Sequence, residues 1–373
     1  MKIRTVTFHH AHNYGSVLQA YALQTFIEKL MEEEKKECDY KIINYYTEFQ
    51  EEFYSILKKD RTMKNALKNL IALFHYKKLK IKYDKFEFFL EDRCHLTKRY
   101  KTYEELKNEK IEADYFISGS DQLWNVRALD FSDIYYLNFV NSGRKISYSA
   151  SFGPLNIDWN LYDKNKYAEY LKDFSAISVR EKQSFENVKY LTGCDCSINV
   201  DPTLLLEVDE WRKIQSDANY DNGNYILLYC LEPTKQQLKM ANIISKKLKL
   251  PILVLKYNNK NDMFNNFIKK YDAGPQDFLS YIDHAALVLS SSFHGTVFSL
   301  IYNKPFYVFD GMTDNRISTL LEKSKMSDRS ISNENDIFNI SLTTPSFKDI
   351  NVLLNDEISK SRNYLRKVLN LEK

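Results

Sequence analysis

The sequence predicts an α/β protein with two doubly wound, Rossmann-like domains, and three features of the chain indicate this fold. Its 373 residues exceed the length of one ordinary core and suit two domains. Short apolar runs typical of buried parallel strands alternate with segments whose apolar residues recur at helical spacing. A polar stretch, EVDEWRKIQSDANYDNG at 207–223, interrupts this alternation once. Two runs of βαβ units joined by a polar linker therefore predict two domains.

The first run gives a predicted N-terminal domain over 1–206. It opens with a strand at 3–8 and the loop HHAHNYG, after which Ser16 is the predicted N-cap of a helix ending near Glu34. Further strands are predicted at 41–46, 115–118, 145–150, 176–179 and 197–200. Open parallel sheets bind ligands at the carboxyl ends of their strands, so the residues that follow each strand are the candidates for a site.

Two polar residues stand out at these strand ends. Asp121, in GSDQLWN, is predicted to cap a short helix. Arg180 follows the strand at 176–179 and can fork onto a phosphate or a carboxylate, or pair with Glu181 at the surface.

The second run gives a predicted C-terminal domain over 224–345, followed by a C-terminal helix over 346–373. Strands are predicted at 225–231, 252–256, 286–290 and 306–309, and helices at 234–249, 275–283, 296–302 and 316–323. The stretch SSFHG at 291–295 lies between a strand and a helix. A helix start offers backbone N–H groups and a positive dipole end, which suits anions, and His294 adds an acid/base group. A serine cap followed by a core histidine explains this stretch alone equally well.

The composition excludes several classes. Lys+Arg 53 against Asp+Glu 50 argues against a nucleic-acid partner, and five scattered cysteines argue against a disulfide framework. Neither the histidine-rich loop at 9–12 nor Cys194-Asp195-Cys196 has a zinc-ligand spacing, so we expect neither a metal nor a cofactor. The start MKIRTVTFHH carries no apolar signal segment, and we expect a cytoplasmic protein.

One segment departs from the balanced charge. Residues 55–85 hold ten Lys/Arg and two Asp, a net charge of +8 in a chain whose total is +3. Their apolar residues recur at helical spacing. Such a segment suits anionic lipid headgroups at the inner face of a membrane, or an acidic partner, or it is a solvated lysine-rich helix face.

Two doubly wound domains facing each other across a cleft are the architecture of GT-B transferases, which is the fold we expect. Six blocks of the sequence, in order, closely resemble the polysaccharide pyruvyl transferase family. They are HNYGSVLQAYALQ (12–24), SGSDQLWN (118–125), SYSASFG (147–153), ISVRE (177–181), DPTLLL (201–206) and SSFHGTVFSLIYNKPF (291–306).

The resemblance implies transfer of the enolpyruvyl group of phosphoenolpyruvate to two hydroxyls of a sugar or lipid-linked oligosaccharide. The products are a cyclic pyruvate ketal and phosphate. The donor needs cations and N–H groups for its phosphate and carboxylate, and an acid for its vinyl carbon.

The residues fit this chemistry as follows. His294 is the expected acid, and Arg180 with the helix start at Ser292, Phe293 and Gly295 is expected to bind the donor. Ser292 stands where the family often has arginine, and Arg316 is the expected replacement cation.

On the acceptor side, Asp121 is the candidate to contact or deprotonate a sugar hydroxyl, with Asn13, Tyr14 and Gly15 beside it.

Two alternatives remain. A GT-B glycosyltransferase would place a nucleotide-sugar diphosphate at the same helix start, but the sequence after His294 has no Asp or Glu until Asp310 to hold a ribose. A sugar- or phosphate-binding module would bind without turnover.

Overall fold

The computed structural model describes residues 1–59, 62–255, 266–342 and 347–371. Its strands, numbered in chain order, are β1 (Lys2–Val6), β2 (Asp39–Ile42), β3 (Tyr115–Ser118), β4 (Arg144–Ser147), β5 (Ser178–Val179), β6 (Ser197–Ile198), β7 (Ile226–Tyr229), β8 (Ile252–Val254), β9 (Ile268–Lys269), β10 (Leu287–Ser290), β11 (Phe306–Phe309) and β12 (Ser330–Ile331).

The helices are α1 (Tyr14–Glu33), α2 (Glu48–Tyr54), α3 (Met63–Phe74), α4 (Tyr76–Arg93), α5 (Tyr103–Asn108), α6 (Lys164–Lys172), α7 (Lys182–Thr192), α8 (Val208–Ile214), α9 (Lys235–Leu248), α10 (Pro275–His284), α11 (Phe293–Ile301), α12 (Asn315–Lys323) and α13 (Phe347–Val368).

The chain divides into two compact units. The first unit consists of Met1–Tyr54, Leu90–Leu206 and Leu353–Lys373, and the second of Ser55–Phe89 and Glu207–Val352. Each unit has its own hydrophobic core and its own parallel sheet.

The sheet of the first unit has the order β2-β1-β3-β4, with every pairing parallel. The pair β5-β6 continues it through bridges of Ile146 to Ala176 and of Ala150 to Val179. The strand order reverses between β1 and β3, because the chain leaves β1 toward β2 and returns on the other side at β3. In such sheets the loops that follow the two strands diverge and leave a crevice for a ligand.

The sheet of the second unit has the order β12-β11-β10-β7-β8-β9, and all its pairings are parallel. This is the strand order of a doubly wound dinucleotide-binding domain. Its order reverses between β7 and β10. The predicted strand–turn–helix stretch around 291–295 therefore follows a strand at the switch point of this sheet.

Aromatic packing dominates the core of the first unit. The Trp124 ring is fully buried, stacks on Tyr136 with ring centroids 5.3 Å apart, and meets Phe152 and Phe174 edge-on. Its indole N–H donates to the Tyr135 carbonyl at 3.2 Å. Truncating a buried tryptophan of this kind to alanine costs about 3–5 kcal/mol. Trp124 lies three residues after Asp121, so this packing fixes the turn that carries the candidate carboxylate.

The structure differs from the predicted domain ranges in the basic segment. Residues 55–89 belong to the second unit although the predicted first domain covered 1–206. Lys85 Nζ contacts Asp277 Oδ2 at 2.6 Å, and the His75 ring meets Tyr271 edge-on with centroids 5.4 Å apart. Long-range contacts of this kind are not visible as a local pattern.

The predicted linker and C-terminal helix differ as well. Residues 207–223 contain α8 and belong to the second unit, where the Ser216 hydroxyl donates to Asp277 Oδ1 at 2.6 Å. The end of α13 belongs to the first unit. There the Val200 N–H donates to Ser361 Oγ at 3.0 Å, and the Tyr364 hydroxyl donates to the Ser147 carbonyl at 3.0 Å.

Candidate active site

In the first unit, the turn after β3 presents Asp121 at the switch point of the sheet. Residues 119–125 form turns and bends around an isolated bridge of Asp121 to Ala150, not the predicted short helix. Asp121 has φ of +80°, a left-handed conformation that costs energy for a residue other than glycine. Its Oδ2 accepts a hydrogen bond of 2.6 Å from Ser16 Oγ, and its Oδ1 accepts one of 2.9 Å from the Gln122 N–H. The carboxylate is therefore held at the carboxyl edge and is 5% exposed.

Ser16 has a different role from the one its sequence context predicts. The N-cap of α1 is Asn13, whose side chain accepts from the Gly15 N–H at 3.0 Å. Ser16 lies in the first turn of the helix and uses its hydroxyl to bind Asp121. Asn13, Tyr14 and Gly15 thus lie at the helix start next to the candidate carboxylate, with the Tyr14 ring buried. Their predicted contacts with the acceptor stay predictions.

Arg180 lies in a buried group of carboxylates, all from the first unit. Its NH1 donates to Asp201 Oδ2 at 2.8 Å, its NH2 lies 3.9 Å from Asp121 Oδ1, and its Nε lies 3.6 Å from Glu181 Oε2. The Arg180 side chain is 2% exposed. Three carboxylates and one guanidinium carry a net charge of −2 when all four are ionised. This edge is acidic, and such a field opposes an anion.

The two further carboxylates are anchored by hydroxyl donors. Asp201 Oδ2 accepts from Ser120 Oγ at 3.1 Å, and its Oδ1 accepts from Thr203 Oγ1 at 2.7 Å. Glu181 Oε1 accepts from Ser151 Oγ at 2.8 Å and also from Ser184 Oγ. Arg180 is therefore one member of a network that also holds Asp121 in place, which differs from an arginine directed at solvent.

The histidine-rich loop after β1 lies at the same edge. His9 is buried, with its Nε2 at 2.9 Å from Asn44 Oδ1. The His10 ring lies against Tyr46, with centroids 3.6 Å apart. Burial, and then the neighbouring His9, His12 and Arg99, lower the pKa of His10 to about 2. His10 is therefore neutral at pH 7.

In the second unit, α11 starts directly after β10 at the switch point. Ser292 is the N-cap residue, and within the described ranges its side chain makes no capping hydrogen bond to the first turn. The Ser292 N–H instead donates to Ser290 Oγ at 2.9 Å, and the Ser292 carbonyl accepts from the Thr296 N–H at 3.1 Å. By helix geometry, the first N–H groups of α11 have no acceptor within the helix. The helix thus begins three residues earlier than the spacing predicts, at Phe293.

His294 is the second residue of α11 and is 7% exposed. The Phe293 ring meets it edge-on with centroids 5.2 Å apart. The next residue is Gly295, and the space beside its Cα has no room for a side chain. A Cβ at this position would lie 2.9 Å from the Tyr229 ring and would overlap Ser290 Oγ. Gly295 therefore lets the first turn of α11 pack against the ends of β7 and β10, where it presents His294 and the first-turn amides at the switch point.

Arg316, the predicted replacement cation, is paired with a carboxylate beside it in the chain, and its contact with the donor stays a prediction. It lies in the first turn of α12, and its guanidinium binds Asp314 in a bidentate manner. Nε donates to Oδ1 at 2.9 Å and NH2 to Oδ2 at 2.5 Å. Asp314 is also the N-cap of α12 and accepts from the Arg316 N–H at 2.9 Å. The positive charge of Arg316 is therefore offset by its neighbour, and the pair stabilises the start of the helix.

Sequence reasoning missed Ser16, Glu181 and Asp201 as parts of the acidic group. Glu181 lies two residues after β5 and Asp201 three residues after β6, so their positions near strand ends were a usable signal. Ser16 carried no such signal, because a serine near a helix start is ordinarily a cap.

Within 1–59, 62–255, 266–342 and 347–371, no helix is both long and apolar enough to cross a bilayer.

Solved structures similar to this chain share the GT-B fold. The UDP-GlcNAc 2-epimerase of Methanocaldococcus jannaschii, in complex with UDP-GlcNAc and UDP, has a TM-score of 0.51 and 14% identity, covering 100% of both chains. The UDP-GlcNAc 2-epimerase of Neisseria meningitidis, bound to UDP-GlcNAc, has a TM-score of 0.50 and 13% identity, again covering 100% of both chains. The GT-B-like fold predicted from the sequence is thereby confirmed.

Curated protein sequences contain no significant match to this chain. The sequence profile of the family described as polysaccharide pyruvyl transferase, in contrast, matches residues 13–311. The match spans most of the chain, including Asp121, Arg180 and His294, and it agrees with the six blocks that suggested the same family. The chain belongs to the polysaccharide pyruvyl transferase family.

Proposed function

We propose that this protein transfers the enolpyruvyl group of phosphoenolpyruvate to two hydroxyls of one sugar, forming a cyclic ketal and releasing phosphate. Two C–O bonds form at C2 of the enolpyruvyl group, the bond from C2 to the phosphate oxygen breaks, and C3 gains a proton. Of the two hydroxyl protons, one is accounted for at C3 and the other on phosphate. The reaction therefore needs an anion site, an acid and a base.

The observation that carries the proposal is the start of α11. His294 occupies the first turn of α11, which starts directly after β10 at the switch point, and Gly295 lets this turn pack against the ends of β7 and β10. Helix N-termini attract phosphate and carboxylate groups, both of which phosphoenolpyruvate carries. His294 in the same turn is placed to protonate C3 of a donor bound there. The second unit is the donor-binding unit in this proposal.

The first unit supplies the base. Asp121 is fixed by Ser16 and by the network around Arg180, and an ionised carboxylate accepts the proton of an attacking hydroxyl. We assign Arg180 the role of holding Asp121 in place, because its guanidinium lies 3.9 Å from Asp121 Oδ1 and is itself anchored by Asp201. Arg180 is then a positioning residue, and the direct contact with the donor predicted from the sequence is not needed.

The acceptor that fits the family is a polysaccharide or its lipid-linked precursor. A panel of synthetic oligosaccharides whose hydroxyl pairs can close a ketal ring provides the assay. Phosphate release from phosphoenolpyruvate is measured with and without each acceptor, and the product is examined by mass spectrometry for the added pyruvate ketal. Acceptor-dependent phosphate release is the expected result.

His294→Gln removes the acid and should lower the rate of transfer by about 10²–10⁴-fold, the usual contribution of general acid catalysis. His284→Gln is the matched control, because His284 is an exposed histidine of the same unit, and it should keep full activity. A folded His294→Gln protein with unchanged activity would contradict the site. Release of nucleotide from a nucleotide sugar, with none of phosphate from phosphoenolpyruvate, would instead establish the glycosyltransferase.

A further inference from the structure

The surface of α3 exposes a continuous apolar face. Met63, Leu67, Leu70 and Phe74 are 92%, 60%, 55% and 81% exposed. At about 3.6 residues per turn, positions spaced by four, three and four residues lie on one side of a helix. A helix of a folded domain ordinarily turns such a face toward the core. These four residues, called the α3 face from here on, instead point toward solvent.

The opposite side of α3 is fixed to the second unit, so the orientation of the α3 face is set by specific contacts. Asn69 Oδ1 accepts from the Lys58 N–H at 2.8 Å, and Asn69 Nδ2 donates to the Lys58 carbonyl at 2.8 Å. Ala72 is buried on the same side. Directly after the helix, the His75 ring packs against Tyr271. Turning the α3 face inward would break this bridge and this ring contact.

The segment that carries the α3 face is strongly basic. The segment 55–85 has a net charge of +8, and nine of its ten basic residues are lysines. Lys68, Lys77 and Lys78 are exposed, on α3 and at the start of α4. Lysines act as mobile point charges with little geometric selectivity, unlike the planar fork of arginine. They suit a surface of many anions more than a single shaped site.

We propose that the α3 face and its lysines dock the protein on an anionic lipid bilayer. The apolar side chains enter the boundary between headgroups and acyl chains, and the lysines lie among anionic headgroups. A convex helix surface fits a fluid bilayer, whereas a protein partner would need a groove of matching shape and opposite charge. A second copy of the chain is disfavoured by repulsion between two segments of net charge +8. This docking does not depend on the reaction proposed above.

Co-sedimentation with vesicles tests the proposal. One set of vesicles is phosphatidylcholine alone, and the other contains phosphatidylglycerol as well. The protein should bind the anionic vesicles at least about tenfold more tightly than the neutral ones, and added salt should weaken the binding. Equal binding to both sets, or absence of binding to anionic vesicles at low salt, would overturn the proposal.

Two variants separate the apolar and the charged contributions. Leu67→Gln with Leu70→Gln removes apolar contacts from exposed positions, and Lys68→Gln with Lys77→Gln and Lys78→Gln removes three charges. Each should weaken binding to anionic vesicles by about tenfold or more. The matched controls are Leu129→Gln with Leu161→Gln, and Lys107→Gln with Lys172→Gln and Lys246→Gln, all exposed residues elsewhere. The controls should bind like the wild type.

Insertion has its own signal. Phe74→Trp places an indole at the exposed end of the α3 face, whereas the three native tryptophans of the chain are all buried. Its emission should shift to shorter wavelength with anionic vesicles and stay unchanged with neutral ones. Light scattering measures whether the protein forms a dimer in solution. A dimer that becomes monomeric in the variant Leu67→Gln with Leu70→Gln would show that the α3 face is a self-association surface, and this would contradict the proposal. A soluble acidic protein is the second competitor. Lipid insertion would be contradicted if this protein displaced the wild type from anionic vesicles and also bound the variant Leu67→Gln with Leu70→Gln as tightly as the wild type.

Discussion

The switch points of the two sheets have the same architecture and opposite chemistry. After β3, the first unit gathers Asp121, Glu181 and Asp201 around the single guanidinium of Arg180. After β10, the second unit offers the first turn of α11, with Gly295 packed against two strand ends and His294 in the same turn. Carboxylates repel anions and accept protons, whereas amides and a helix dipole attract anions.

This difference suggests a division of labour within one enzyme. A parallel sheet places whatever follows its strands at one edge, and it does not dictate the chemistry there. One edge carries the residues suited to activating a hydroxyl, and the other carries those suited to an anionic donor. Each edge should therefore lose a different property when it is altered.

The largest expected effect concerns the acidic edge. Arg180→Leu leaves three buried carboxylates without their shared cation, and losing one partner of a buried ion pair costs about 3–5 kcal/mol. Denaturant unfolding measures the free energy of unfolding. The double variant Arg180→Leu with Asp201→Asn removes the nearest carboxylate charge as well and should recover part of the loss. An Arg180→Leu protein as stable as the wild type would show that the network is not held by charge.

A smaller effect on the free energy of unfolding is expected at the start of α11, where the packing around Gly295 is altered. Gly295→Ala introduces a methyl group that meets the Tyr229 ring at 2.9 Å and overlaps Ser290 Oγ, and overpacking of this kind costs about 1–3 kcal/mol. Adding Ser290→Ala should relieve part of this cost in a double-mutant cycle. Strict additivity of the two changes would mean that Gly295 and Ser290 do not share this packing.

The smallest effect is a pH dependence beside the acidic edge. The pKa of His10 is about 2 in the folded protein against 6.5 ordinarily, so below pH 6.5 the unfolded chain binds a proton there that the folded protein does not. The free energy of unfolding should therefore fall as the pH drops from 7 to 5. The contribution of neutral His10 to the free energy of unfolding is fully present above pH 6.5. Below pH 6.5 this free energy falls by at most about 1.4 kcal/mol per pH unit.

His10→Gln removes this titration and should flatten the dependence between pH 7 and pH 5 relative to the wild type. Unfolding curves of the two proteins at several pH values give the slope. Equal slopes would show that His10 is protonated in the folded protein as readily as in the unfolded chain.

Most of the fold was predictable because buried parallel strands and amphipathic helices leave local patterns. The strands at 115–118 and 306–309 match the structure residue for residue. The sequence did not predict where 55–89 belongs, since contacts such as Lys85 with Asp277 join residues far apart in the chain. For the same reason the C-terminal helix gave no sign that its end packs in the first unit through Ser361 and Tyr364.

The candidate site shows the same limit at finer scale. The turn at 291–295 was recognisable because a strand, small polar residues and a helix follow one another locally. The partners of Arg180 and Arg316 were not recognisable from the sequence. A charged residue at a strand or helix end has the same local sequence pattern whether it contacts a ligand or a carboxylate of its own chain. Only the structure shows that Arg316 binds Asp314, two residues before it, and that Arg180 binds Asp201, 21 residues after it.

Binding of phosphoenolpyruvate to three variants tests the division of labour most directly. Ser292→Asp and Ser292→Asn both supply a good N-cap for α11, but only aspartate adds a negative charge at the helix start. Isothermal titration calorimetry should show that Ser292→Asp weakens binding of phosphoenolpyruvate by about tenfold or more. Ser292→Asn and Asp121→Asn should each stay within about threefold of the wild type. Loss of donor binding in Asp121→Asn, with full binding in Ser292→Asp, would contradict the assignment of the donor to the second unit.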